Sequence, residues 1–226
     1  MGTQRLSKEN RLYWLGRYTE RAFSTIEYLQ DAYDRSLDGP QFDYAWWCAC
    51  LSLPADTYAD VDDFFARYLF DETDPESAIS SLNRAFDNAV MLREMLSSRV
   101  LAYLQLAKNV MDNAHVSAAP MLDLQWVGDY IMAFKGCVDE FVGDTNARMT
   151  IKCGFTIERI DMMLRLGWRT DELEKEFERL TSRLRRTSLP RDGRRLSLLT
   201  DLISSPNARD NKDVLLDCVE GLFPDA

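Results

Sequence analysis

Apolar side chains recur every three to four residues along nearly the whole chain, and no stretch alternates in the two-residue rhythm of a strand. Residues 7–36 form the first run, with Leu12, Leu15, Ala22, Ile26 and Leu29 on one stripe. Ser7 is placed to cap it and Asp38-Gly39-Pro40 to stop it. Residues 42–53 carry Trp46, Trp47, Cys48, Ala49 and Leu51, apolar on most sides, which predicts a short buried helix ending at Pro54. Residues 57–70 predict another, with Val61, Phe64, Phe65, Tyr68 and Leu69 inward. Asp74-Pro75-Glu76 reads as a helix start: a capping aspartate, a proline where no N–H is needed, and an acid at the positive pole. That helix should run to about residue 95, and the next over 97–113, followed by a loop over 115–120. A helix over 121–142 should end near Gly143, and Asp144 should cap one that reaches about Leu166. Residues 171–187 are amphipathic and charge-rich, with Leu173, Phe177, Leu180 and Leu184 on one stripe. After a turn at Pro190–Gly193, short helices near 194–204 and 210–222 close the chain. The expectation is an all-α, multi-helix bundle: one helical domain over 1–226, with 168–226 a C-terminal helical extension.

Composition narrows the class. A chain of 226 residues that is 46% apolar can bury a core without disulfides. Ten glycines and seven prolines are few for a turn-rich sheet protein. The net charge of −10 argues against nucleic acid, whose phosphates need a basic face. Only Arg179 to Arg195 is basic, through Arg183, Arg185, Arg186, Arg191 and Arg194. It reads as a solvated helix end or as a dock for an acidic partner. The five cysteines, Cys48, Cys50, Cys137, Cys153 and Cys218, are odd in number, lack a CxxC spacing and sit among apolar residues, so buried reduced thiols are expected. The start has no apolar signal core, Leu6 breaks the myristoylation pattern after Gly2, and no run of about 18 apolar residues occurs. The expected compartment is the cytoplasm, with no membrane partner.

One short motif occurs twice. LYWLGRYTERA in the first helix and IKCGFTIERID in the helix after Asp144 align Gly16 with Gly154, Glu20 with Glu158 and Arg21 with Arg159, a weak internal duplication of Gly-x-x-x-Glu-Arg. Glycine inside a helix costs about 1 kcal/mol against alanine, and close approach of a second helix commonly offsets that. Glutamate four residues on lies one turn away on the same face, where such a crossing excludes water. It then needs a partner, and arginine is the best suited. The spacing predicts a pseudo-twofold crossing at Gly16 and Gly154, with Glu20 facing Arg159 and Glu158 facing Arg21. Two readings follow. The pairs are buried ion pairs fixing helix register, or one or both carboxylates act as a general base or bind a cationic group.

LYWLGRYTERA resembles the opening signature of the bacterial alpha-E domain family, helical proteins with a recurring ER motif. LFDETDPESAISSLNRAFDNAVMLREMLSS, from Leu69, is similar to the family's central segment through Asp74, Pro75, Ser77, Ile79, Asn88, Ala89, Leu92, Arg93 and Glu94. CGFTIERIDMMLRL is the third match, so the resemblance spans roughly residues 10–167. The chain departs from the pattern at Phe86-Asp87, where the family carries Arg-Glu, at Arg99 and Leu101, where it carries an acid and a Trp, and at Phe155, where it carries an Arg after the glycine. The resemblance implies a setting: such proteins are encoded beside a circularly permuted ATP-grasp ligase, a transglutaminase-like protein and sometimes a proteasome-like peptidase, a set suited to peptide synthesis or modification through amide bonds. It assigns the helical member no reaction.

Other chemistry finds little footing. His115 is the one histidine, so His-ligated zinc and Glu-x-x-His di-iron sites are not expected, nor is a triad without a nucleophile elbow. No Walker loop or GxGxxG is present, and no cofactor or metal is expected. Tyr44-Ala45-Trp46-Trp47 reads as core or as a ligand-pocket wall. Three functions remain open: an accessory or binding module for an ATP-grasp ligase or its peptide substrate, an enzyme of the same pathway using the ER carboxylates, and a self-assembling helical scaffold that forms a homo-oligomer. No residue is assigned as catalytic. The candidate binding or structural ion-pair residues are Gly16, Arg17, Glu20, Arg21, Asn88, Arg93, Glu94, Gly154, Glu158 and Arg159.

Overall fold

The structure, a computed structural model, describes residues 2–205 and 211–224, less the side chains of residues 2–7 and 55. Among the described residues it holds ten α-helices and no strand. None of these helices is long and apolar enough to cross a membrane. The chain divides into two compact units, one of residues Met1–Glu20 and Gly143–Ala226, the other of Arg21–Val142. Helix α1 (Gly2–Leu37) contributes to both.

The first unit is built around α7 (Thr145–Leu166), which is buried on almost every side. Asp144 caps it by accepting from the backbone N–H groups of Asn146 and Ala147, satisfying donors that have no partner within the helix. Gly167, at φ 61°, ends it in the left-handed conformation that glycine adopts without strain. Helices α8 (Leu173–Leu184) and α10 (Lys212–Glu220) pack on α7, and α9 (Gly193–Ile203) rests on both. The stripe Leu173, Phe177, Leu180 and Leu184 is buried, as its spacing requires, against Ile157, Ile160, Met163, Leu199 and Leu215. Residues 168–205 and 211–224 therefore share one core with α7.

The second unit holds the rest of α1 with α2 (Tyr44–Leu51), α3 (Val61–Phe70), α4 (Ala78–Met91), α5 (Ser98–His115) and α6 (Pro120–Phe141). Helices α5 and α6 form a hairpin, burying Val100, Leu104, Ala107 and Met111 on one and Leu124, Val127, Ile131, Phe134 and Val138 on the other. These positions step by three and four, so each helix presents one narrow seam. An aromatic cluster fills the other end of the unit, with Trp47 edge-on to Tyr68 at 5.9 Å and Phe64 stacked on Tyr68 at 5.2 Å.

Several expectations need correction. Helix α1 begins at Gly2, so Ser7 stands inside it, and whether the Ser7 side chain makes a cap lies outside the described residues. Asp74 does not cap α4; its Oδ1 accepts from the Glu76 N–H in a turn, and Ser77 makes the cap by accepting from Ser80. Three more residues of turn delay the helix because the Asp74 carboxylate closes a local turn on the Glu76 N–H two residues on, which leaves the capping position to Ser77. Helix α4 stops at Met91, four residues early, and His115 is the last residue of α5, stacked on Phe70 at 5.1 Å. The start of the last helix was placed at Asp210, outside the described residues; α10 begins at Lys212. Trp47 is core, but Trp46 is 40% exposed. None of the five cysteines is in a disulfide; Cys48, Cys153 and Cys218 are buried while Cys50 and Cys137 are partly exposed.

Leu180 is fully buried on the α8 stripe. Leu180→Ala should lower stability by about 3 kcal/mol, read as an earlier midpoint in urea denaturation.

Candidate functional site

Gly16 and Gly154 mark the point where α1 and α7 touch. A Cβ on Gly16 would stand 2.1 Å from the Ile151 carbonyl oxygen and 2.9 Å from Gly154 Cα. One on Gly154 would stand 2.2 Å from the Tyr13 carbonyl oxygen and 2.9 Å from Gly16 Cα. The two sets of atoms exchange roles: Tyr13 and Ile151 each precede their own glycine by three residues, and each faces the other's. The crossing is therefore locally two-fold, and no residue with a side chain fits at either centre.

One turn from each glycine a glutamate is removed from water. Glu20 and Glu158 both have 0% exposure. Arg159 Nε donates to Glu20 Oε1 at 2.8 Å, the pairing that the repeated motif predicts. Arg17 Nε donates to Glu158 Oε2 at 2.5 Å. Arg21, which the motif sets opposite Glu158, belongs to the second unit, where its Nη1 lies 3.5 Å from Glu76 Oε2. Arg17 adjoins Gly16 and so stands at the crossing itself. It is also seated over the rings of Trp14 and Tyr13, 5.3 and 5.9 Å from their centroids. Its counterpart in the second copy is Phe155, which is buried, so the network on that side has no matching arginine.

The pairs extend into a larger buried network of the first unit. Arg159 Nη1 donates to Glu176 Oε1 at 3.2 Å, and Arg179 Nη1 donates to the same oxygen. Asp161, one turn after Glu158, accepts from Arg165 Nε at 2.9 Å, and Arg165 Nη2 reaches Glu220. Asp161 Oδ1 and Glu176 Oε2 are buried with no hydrogen-bond partner among the described residues.

Burial and neighbours set the proton affinities. Burial opposes the Arg17 charge, yet Glu158, helped by Tyr13 and Asp161, outweighs it and holds the guanidinium above its ordinary range. Arg159 is raised in the same way, with Glu20 and Glu176 overcoming burial. Burial pushes the Tyr13 hydroxyl up to about 12, against the pull of Arg17, and the Cys153 thiol up to about 12. The Asp161 carboxyl is raised by burial first and by the neighbouring Glu158 charge second, with Arg165 and Arg17 offsetting only part.

Of the residues singled out from sequence, Gly16, Arg17, Glu20, Gly154, Glu158 and Arg159 meet at this crossing. Asn88, Arg93 and Glu94 belong to the second unit: Asn88 is half-buried on α4, and Arg93 and Glu94 are exposed in the turn after it. Glu176, Asp161 and Arg165 were missed. Glu176 could have been found, since it lies three residues after Leu173 and four before Leu180, on the apolar stripe. Asp161 and Arg165 are spaced as an i,i+4 ion pair. Among the described residues no three His, Cys, Asp or Glu side chains gather as a metal-ligating set.

Fold and site together define a helical domain whose Gly-x-x-x-Glu-Arg helices cross at glycine and bury their glutamates against arginine. A family model named Alpha-E, described as a predicted alpha-helical domain with a conserved ER motif, matches residues 8–200, and the chain belongs to that family. No curated protein and no solved structure matches it.

Two outcomes test this geometry. Gly154→Ala should destabilise by about 3 kcal/mol or more, because its methyl meets backbone that cannot swing aside. Gly136→Ala, in α6 with open space around the new methyl, should instead gain up to about 1 kcal/mol. Thermal melts of the two variants should shift in opposite directions. Asp161 has a raised folded-state pKa, so its contribution is fully present below the ordinary aspartate value of 3.8 and is lost as pH rises through the folded value. The stability of the native protein relative to Asp161→Asn should therefore fall from acid towards neutral pH in urea titrations; a difference that grows with pH would contradict the assignment.

Proposed function

We propose that this chain is a helical binding module, held rigid by its buried ER pairs, that serves an ATP-grasp amide ligase or that ligase's peptide substrate. The observation that carries this reading is the placement of the motif carboxylates. Glu20 and Glu158 have no exposed surface, and each meets a guanidinium at hydrogen-bond distance. Carboxylates so enclosed fix two helices against each other; they do not present an oxygen to a substrate. Membership of the Alpha-E family supports the same reading, since the resemblance links such proteins with ligases that form amide bonds.

One observation favours a second reading, an enzyme of the same pathway. Asp161 is buried beside Glu158 and its proton affinity is raised, the kind of perturbed carboxyl that functional sites use.

Glu20→Gln separates the two. On the binding-module reading the variant loses about 3 kcal/mol or more, because Arg159 and its neighbours keep buried charge without its partner. Its folded fraction still binds the neighbouring ligase in calorimetry. A variant that keeps wild-type stability and ligase binding but abolishes product, followed by mass spectrometry, sinks the binding-module reading in favour of catalysis. Gel filtration of the chain alone tests self-assembly: a binding module elutes at the mass of one chain, a scaffold well above it.

A further inference from the structure

The basic stretch of α8 faces a small cavity that the ER network does not use. A pocket of about 200 Å³ lies between α7 and α8, lined by Met149, Lys152, Arg179, Ser182, Arg183 and Arg186. In a protein of net charge −10, four of the six lining residues are cationic.

Arg183 is the decisive member. The other buried arginines of this unit are neutralised: Arg17 by Glu158, Arg159 by Glu20 and Glu176, Arg165 by Asp161. Arg179 shares Glu176. Arg183 is partly buried, yet its Nη1 donates only to the Lys152 carbonyl at 3.0 Å and to the Thr156 hydroxyl. Both acceptors are neutral, and among the described residues no carboxylate pairs with it. The consequence is visible in its proton affinity, which burial pulls below the arginine range; Cys153 and Glu176 raise it, the repulsion of Arg159 and Arg179 works against them, and burial prevails. The exposed Arg186 side chain likewise forms no ion pair among the described residues, and Lys152 brings a further positive charge to the rim. A partly buried guanidinium is unfavourable when uncompensated, and an anion in the pocket would relieve it.

We propose that this pocket binds a phosphoryl group, free or as a monoester. The donors are several, cationic and carried on two helices. That arrangement suits a tetrahedral dianion with three or four oxygens better than a planar carboxylate with two. The Ser182 hydroxyl, also on the wall, supplies a neutral donor. The volume is below the range of about 300–1,000 Å³ that drug-sized ligands occupy, so the pocket takes a small anion or the head of a larger molecule. The site is independent of the ligase-partner reading and shares Arg179 with the network around the ER pairs.

The test is isothermal titration calorimetry on the whole chain at constant ionic strength, with inorganic phosphate, methyl phosphate and succinate as probes. Saturable one-to-one binding of either phosphate is expected, and the tighter of the two tells a free from an esterified ligand. Affinity should fall about tenfold or more in Arg183→Gln and in Arg186→Gln, as loss of one charge-assisted hydrogen bond requires. It should be unchanged in Arg194→Gln, on α9 outside the pocket. Arg186 is exposed, so its variant remains informative even if Arg183→Gln fails to fold. Heats no greater than dilution for both phosphates, undiminished affinity in Arg186→Gln, or succinate binding as tightly as phosphate would each overturn the proposal.

Discussion

Two glycines, one on each of two helices, let backbone meet backbone, and the charges of the first unit are arranged around that contact. Where Gly16 and Gly154 touch, there is no room for a side chain, and the next turn of each helix is sealed from water. Glutamate at that turn cannot be solvated and must find a cation. An ion pair of this kind is a poor source of net stability, because desolvation consumes much of the Coulombic gain. Its effect is to select a geometry: a helix slid by one residue would leave a buried carboxylate facing an apolar side chain.

The same reasoning accounts for how the charges are shared. Four buried carboxylates, Glu20, Glu158, Asp161 and Glu176, are met by four arginines, Arg17, Arg159, Arg165 and Arg179. The sharing is uneven. Glu176 receives two guanidiniums on one oxygen, while Asp161 sits close enough to Glu158 for its proton affinity to rise. Arg183 falls outside this balance, which is why the groove beside it stands out in an acidic protein. A neutral interior network and a cationic pocket thus lie on two sides of the same pair of helices, α7 and α8.

The ER motif that defines the Alpha-E family occupies, in this chain, the inside of a helix crossing rather than the wall of an open cleft. Arg159 meets Glu20 within the crossing, and Arg21 meets Glu76 in the second unit. Phe155, where the first copy has Arg17, leaves the network lopsided, with Arg17 alone supplying the guanidinium next to a glycine. Buried in this way, the two motif glutamates hold α1 and α7 in register.

Much of the architecture was legible from periodicity, because a 3.6-residue rhythm of apolar side chains leaves few alternatives. The long first helix, the Asp144 cap and the α8 stripe are local facts, decided by residues a few positions apart. The glycine crossing could also be read, since a glycine four residues from a glutamate, twice over, implies a close approach. The destinations of long side chains could not be read. That Glu158 meets Arg17 depends on which face of α1 turns towards α7, and neighbours in sequence do not set that rotation. Nor does sequence distinguish Arg183, held among neutral acceptors, from the solvated arginines beside it. The chain determined its helices and the place where two of them touch; only packing in three dimensions decided which charges were left to answer one another, because Coulomb and desolvation energies depend on distance and burial rather than on order along the chain.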